Sequence, residues 1–260
     1  MNVNKLIDFY NQGNSLKKTS IVFKISLPKL KKIIKENKIY LRTQKEQLII
    51  ENIKRTKNIN HYYFDNLNEI NCYYLGFLYA DGTVRKDRNE IKISLSSIDL
   101  NFLKEFKKNL NIENEIHIRQ TAKGFEVCEL TFSSLKIKQD IAKYGIVPNK
   151  TYIESSLSVI PTEFRLAFIK GYFDGDGSFS FNKNTRQCKI TFTSYTKKML
   201  EDIKNYFGNG NIYQDKRNKI YSLEISTLPS LNIMKNFYEM NTPYLCRKKE
   251  KYLEALKLRK

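Results

Sequence analysis

The chain carries one segment twice. LGFLYADGTV at Leu75–Val84 returns as IKGYFDGDGSF at Ile169–Phe179, in a register that sets Asp81 against Asp176. Beyond each copy the likeness continues: KISLSS (Lys92–Ser97) matches KITFTS (Lys189–Ser194), and ELTFSSL (Glu129–Leu135) echoes SLEISTL (Ser222–Leu228). Helical spacing of Leu103, Phe106 and Leu110 in one half answers Leu200, Ile203 and Phe207 in the other. A repeat of this length is one structural unit used twice, and two copies make a pseudo-twofold pair rather than an open array. Each half reads helix, two strands, helix, two strands, helix, which predicts a duplicated α+β fold with αββαββα halves at about 68–155 and 162–260.

The strand segments alternate with period two. Ile91, Ile93 and Leu95 oppose Lys92, Ser94 and Ser96; Ile190 and Phe192 oppose Lys189, Thr191 and Thr193; Ile116 and Ile118 oppose His117, Arg119 and Thr121. In these segments the polar faces are basic and hydroxyl-bearing, with almost no acid. A solvated face mixes both signs, so these suit phosphates and base edges, and β-ribbons do enter the major groove. The candidate DNA contacts are Arg85, Lys86, Lys92, Ser94, Ser96 and Arg119 in the first half. In the second they are Ser178, Ser180, Asn182, Lys183, Arg186, Lys189, Thr191, Lys216 and Arg217.

Charge supports a polyanionic partner: 46 Lys+Arg against 27 Asp+Glu give a net +19, which favours salt-sensitive nucleic-acid binding. No apolar run approaches the ~18 residues of a membrane helix, and no signal-peptide pattern is present, so the expectation is an intracellular monomer, in the cytoplasm of a prokaryotic or phage host, without membrane attachment. Cys72, Cys128, Cys188 and Cys246 are scattered and only His61 and His117 occur, which disfavours zinc-finger sites and histidine-based nucleases.

Residues 1–60 form a separate module ahead of a 61–260 repeat domain. They hold more than half of the net positive charge. Leu6, Ile7 and Tyr10 mark one helix; Ser15 can cap a second and Ser26 a third containing Leu30, Ile33 and Ile34. Two short helices joined by a tight turn make a helix-turn-helix pattern similar to that of resolvase-like proteins, with Lys29, Lys31 and Lys32 outward on the recognition helix. A basic helical extension is the plainer alternative. A basic helical linker, residues 43–58, leads on to the repeat.

The chemistry lies where each repeated helix ends, at Asp81-Gly82 and Asp176-Gly177. Before them, Cys72, Gly76 and Ala80 form one stripe of small residues, and Ala167, Gly171 and Gly175 another in the same register. A glycine inside a helix costs about 0.5–1 kcal/mol relative to alanine, so matched glycines predict close packing of the two helices through Gly76, Ala80, Gly171 and Gly175. That packing brings Asp81 and Asp176 together at two negative helix ends, each carboxylate raising the other's pKa. Divalent cations relieve the conflict, and oxygen ligands beside a phosphate suit Mg²⁺. Asp81 and Asp176 are therefore the candidate metal ligands and catalytic residues. DGDGSFSFNKNT (Asp174–Thr185) is not an EF-hand, since Phe179 replaces the required Gly and Thr185 the required Glu.

YLGFLYADG (Tyr74–Gly82) and IKGYFDGDG (Ile169–Gly177) resemble the two LAGLIDADG motifs of monomeric homing endonucleases. The resemblance covers the chain from about Asn60 onward, including GIVPNK (Gly145–Lys150) and a counterpart around Leu245–Lys248. It implies the LAGLIDADG fold, a saddle whose strands straddle the major groove. It also implies site-specific cleavage of double-stranded DNA that leaves short 3′ overhangs, with the metal-binding acids at Asp81 and Asp176. The sequence departs from the family at Tyr79, where the second copy keeps Asp174, and small polar residues (Ser94, Thr191, Ser133, Ser226) replace the Lys or Gln that many members carry beside the metals. Lys92, Lys189, Lys150 and Lys248 are the candidates for a basic contributor. The alternatives to a nuclease are a non-cleaving RNA maturase or a DNA-binding regulator on the same scaffold; retention of both acids favours the enzyme.

Overall fold

The computed structural model describes residues 2–56 and 58–259; Met1, Lys57 (within the expected linker) and Lys260 lie outside the described residues. The chain divides into two compact units, 1–57 and 58–260.

In the first unit, helices α1 (Val3–Asn11), α2 (Leu16–Val22) and α3 (Leu27–Glu36) are followed by α4 (Gln44–Arg55). Ser15 caps α2 by accepting from the Lys18 amide. Ser26 occupies the cap position of α3 but makes no side-chain capping bond; Pro28 starts that helix instead. Leu6, Tyr10, Leu30 and Ile34 form a small core. The segment expected as a helical linker is not a plain connector: α4 reaches back to the turn after α1. Arg42 stacks over the Tyr10 ring at 4.0 Å and donates to the Tyr10 and Asn14 carbonyls, while Gln47 and Lys54 donate to those of Gly13 and Gln12. Lys29, Lys31 and Lys32 are exposed on α3, with Lys32 also 3.8 Å from Glu36.

The second unit repeats one plan. Its first half runs α5 (Glu69–Asp81), β1 (Gly82–Val84), β2 (Glu90–Ser96), α6 (Leu100–Asn109), β3 (Ile116–Gln120), β4 (Glu126–Ser133) and α7 (Leu135–Ala142). Its second runs α8 (Arg165–Asp176), β5 (Gly177–Asn182), β6 (Gln187–Ser194), α9 (Lys198–Phe207), β7 (Asn211–Asp215), β8 (Ile220–Ser226), α10 (Thr227–Glu239) and α11 (Cys246–Arg259). Each half builds an antiparallel four-stranded sheet, ordered β1-β2-β4-β3 and β5-β6-β8-β7. The αββαββα plan read from the sequence is the observed one.

Helices α5 and α8 are buried along nearly their whole length, Asn71–Tyr79 in one and Ala167–Asp174 in the other. A helix apolar on every side belongs at the centre of a fold. The glycines set how near the two come. A Cβ on Gly76 would lie 1.9 Å from the Phe168 carbonyl oxygen, and one on Gly171 would lie 1.9 Å from that of Tyr73. Gly175 faces Ala80, whose Cβ would be 2.2 Å from an added methyl. Each helix therefore rests on the other's backbone, which no larger residue permits. Gly76→Ala or Gly171→Ala should destabilise the fold by about 3 kcal/mol or more, at or beyond the upper end of overpacking costs, and lower the denaturant midpoint accordingly. An unchanged midpoint for both variants would contradict the close packing.

Candidate active site and nucleic-acid interface

The helix contact continues to the tips. The position of a Gly175 Cβ is 3.3 Å from an Asp81 carboxylate oxygen, so the Asp81 side chain lies against the last turn of α8. Burial first, and then Asp176, pushes the Asp81 carboxyl up to about 6. Burial likewise raises that of Asp176. Two acids meet at two negative helix ends, and the structure supplies cations to offset them.

Those cations are Lys150 and Lys248. Lys150 donates to the Ala80 and Gly82 carbonyls at 3.0 and 2.6 Å. Lys248 donates to those of Asp174 and Gly177 at 2.8 and 2.7 Å, and also to Phe173. A helix leaves its last carbonyls without intrahelical partners, and each ammonium closes one motif helix. The arrangement is crossed: the charge that most lowers the Asp176 pKa is Lys150, anchored on α5, and that for Asp81 is Lys248. Burial depresses both lysines, Lys248 to about 8. Of the four basic candidates, these two belong to the acid pair. Lys92 and Lys189 are engaged elsewhere, at 2.8 Å from Glu129 and 2.9 Å from Glu224.

The odd motif position is explained by its surroundings. Tyr79 packs against the rings of Phe168 and Tyr172. It helps line a cleft of about 190 Å³ with Lys150, Tyr172, Asp176 and Thr193. Its counterpart Asp174 is buried, accepting from the Tyr73 hydroxyl at 2.6 Å and the Leu245 amide. Nearby, Lys170 donates to the Thr242 hydroxyl at 2.7 Å. The segment that carries Lys248 is thus held to α8 by buried polar bonds. Leu75 and Tyr79 stand at the corresponding positions of the first motif.

The sheets bury one face each. Ile91, Ile93 and Leu95 point inward on β2, as do Cys188, Ile190 and Phe192 on β6. Lys92, Ser94, Ser96, Arg119, Ser178, Ser180, Asn182, Lys189 and Thr191 lie on the opposite, accessible faces. Arg85, Lys86, Lys183, Arg186, Lys216 and Arg217 are exposed in the turns. Two of these carry ion partners, Arg85 with Asp87 and Lys183 with Glu254.

The assembled faces differ from the expectation in one respect: each contains an acid. Glu129 stands opposite both Ser94 and His117, and Glu224 opposite both Thr191 and Asn211. The two acids are not at equivalent places: Ile93 pairs with Gly82 as Phe192 does with Gly177, which sets Glu129 against Ser222, as the ELTFSSL and SLEISTL segments align, whereas KISLSS and KITFTS correspond two residues away from the alignment that pairs Lys92 with Lys189. Of the histidines, His61 is buried 2.8 Å from the Ser134 hydroxyl and His117 is exposed. Among the described residues the cysteines form no disulfide, and Cys72, Cys128 and Cys188 are buried.

The acid pair has a consequence for stability. A carboxyl raised from 3.8 to about 6 is penalised when ionised, so stability falls as pH rises through that window and the loss is complete above it. Asp81→Asn should therefore stabilise the metal-free protein at pH 7 by on the order of 2 kcal/mol. The gain should vanish below about pH 4, as followed by thermal melts across pH. A variant less stable than the parent at pH 7 would contradict the assignment.

Comparison with known proteins agrees with this geometry. The family model described as LAGLIDADG endonuclease matches residues 169–258, and that described as LAGLIDADG-like domain matches residues 70–144. The Methanocaldococcus jannaschii protein MJ0314 is 28% identical over 177 residues, 67% of this chain and 64% of that protein. The DNA-directed RNA polymerase subunit Rpo1C of the same organism is 27% identical over 188 residues, 71% of this chain but 20% of that protein. The chain thus spans less than two thirds of the length of either relative. Among solved structures, the LAGLIDADG meganuclease I-AabMI bound to uncleaved DNA superposes with a TM-score of 0.52 at 13% identity, covering 74% of this chain and 90% of that one. The K262A mutant of I-SmaMI gives 0.51 at 14% identity, with the same coverage. With a family model on each half, and each motif on one of two helices packed backbone to backbone, the chain belongs to the LAGLIDADG endonuclease family and carries both motifs in one polypeptide.

Proposed function

We propose that this chain is a site-specific, metal-dependent endonuclease that cuts both strands of a long DNA target, leaving short 3′ overhangs, as a monomer. The observation that carries the reading is the meeting of Asp81 and Asp176 at the glycine-backed tips of α5 and α8. A protein that only bound DNA would lose affinity by aiming two acids at phosphate. I-AabMI, whose fold this chain shares, is itself bound to DNA.

The acid pair fits Mg²⁺. Among the described residues no third His, Cys, Asp or Glu completes a protein cage. A cation held by Asp81 and Asp176 would thus take its other ligands from water and phosphate, the usual environment of Mg²⁺. When bound, such ions activate water and stabilise the leaving 3′ oxygen. The chain's own contribution is placement. Lys150 and Lys248, anchored on the helix-end carbonyls, keep the acids ionisable and leave positive charge beside the scissile backbone. The accessible sheet faces, with Lys92, Arg119 and Lys189 among hydroxyl side chains, read the target.

The first unit extends the footprint. Its exposed Lys29, Lys31 and Lys32 lie on α3, the second helix of a helix-turn-helix pair. Such a unit adds phosphate contacts that each steepen the salt dependence of binding. Among the described residues no helix is long and apolar enough to cross a membrane.

Asp81→Asn or Asp176→Asn should slow double-strand cleavage of a plasmid target by at least about a hundredfold and leave affinity nearly unchanged in a gel-shift titration. Cutting at the parental rate by both variants would refute the site. Deleting residues 1–57 should weaken binding and shorten the protected region in a footprinting assay; an identical footprint would refute the role given to the first unit.

A further inference from the structure

The acids on the sheet faces are not used by the mechanism above. One oxygen of Glu129 lies 2.8 Å from Lys92 Nζ, 2.8 Å from Arg119 Nη2 and 2.9 Å from Ser94 Oγ. In the other half, Glu224 lies 2.9 Å from Lys189 Nζ. Strand register puts both glutamates on the accessible faces but not at equivalent positions: counted from the motif glycines, Glu224 on β8 lies two residues along from the place Glu129 takes on β4. Both are more enclosed than their partners: 12% and 31% exposed for the glutamates, against 36%, 51% and 41% for Lys92, Arg119 and Lys189.

Stability does not explain an acid among the bases of each face, since exposed ion pairs contribute roughly 0–1 kcal/mol. Affinity for a polyanion does not explain it either, because an acid on the binding face opposes it. What remains is orientation. A free lysine or arginine on a strand swings to the nearest phosphate, which positions a protein but carries no sequence information. A cation whose head is already bonded to a carboxylate is held in one direction. Arg119 is held through Nη2 alone, and a guanidinium has five N–H donors in a fixed fork. The rest of the fork can therefore meet the O6 and N7 acceptors of guanine.

We propose that Glu129 and Glu224 are specificity-determining residues, each fixing the basic side chains of its own sheet face so that they read guanine edges instead of following phosphates. This rests on the DNA-binding reading above. It is independent of cleavage, so the test is selection of bound duplexes from a random library with the full-length protein, Glu129→Gln and Glu224→Gln. Each variant should lose about tenfold of its preference at guanine-containing positions, Glu129→Gln in one half of the site and Glu224→Gln in the other. Affinity for unselected duplex should stay level or rise. Profiles that superimpose on the parent, or loss spread over both halves from a single variant, would overturn the inference. If the parent selects no recurring sequence, the DNA-reading proposal fails and this one with it.

Discussion

Everything in the repeat domain depends on how near α5 and α8 approach. Side chains on facing helices normally hold the axes 8–10 Å apart. Here Gly76 and Gly171 put backbone against backbone, and Gly175 leaves room for the Ala80 methyl near the tips. The fold thereby converts a packing contact into a chemical site. Two carboxylates that would repel at a surface are brought together because the glycines beneath them leave no alternative.

The cost of that meeting is shared by the rest of the structure. Burial raises both carboxyls and Asp176 raises that of Asp81 further, and Lys150 and Lys248 offset the penalty while closing the helix ends. Lys150, anchored on α5, acts most on Asp176 of α8, and Lys248, anchored on α8, acts on Asp81 as well as on its own helix's Asp174, so the two halves of the site depend on each other. The halves reach this state by different interiors. The second fastens its lysine-bearing segment through Lys170, Asp174 and Tyr73; the first has Leu75 and Tyr79 at the matching places. A gene duplication has kept the chemistry and let the supports diverge.

Much of this was legible in the chain. The repeat gave the number of halves, period-two alternation gave the buried strand faces, and the matched small residues gave the helix pair with Asp81 and Asp176 at its end. These signals are local or periodic, and packing enforces them. Less legible were features that depend on side-chain reach across the fold. Lys150 and Lys248 could be nominated, but their bonds to helix-end carbonyls follow from three-dimensional proximity. Glu129 and Glu224 were hidden because the strands beside them read as basic; on β2 and β6 the similarity of KISLSS and KITFTS allows a slip of two residues that preserves the alternation. The segment read as a helical linker is helical and is fastened to the first unit by Arg42, Gln47 and Lys54, which reach back to Tyr10 and to the turn after α1.

The central claim is that two motif tips make one double-strand cutting site. The most direct measurement is to incubate the purified protein with a library of host-genome or random duplexes and Mg²⁺, and to sequence the ends produced. The account predicts breaks in both strands at one long recurring sequence, separated by a constant short stagger. An absence of cut ends, or ends scattered without a shared sequence and stagger, would contradict it.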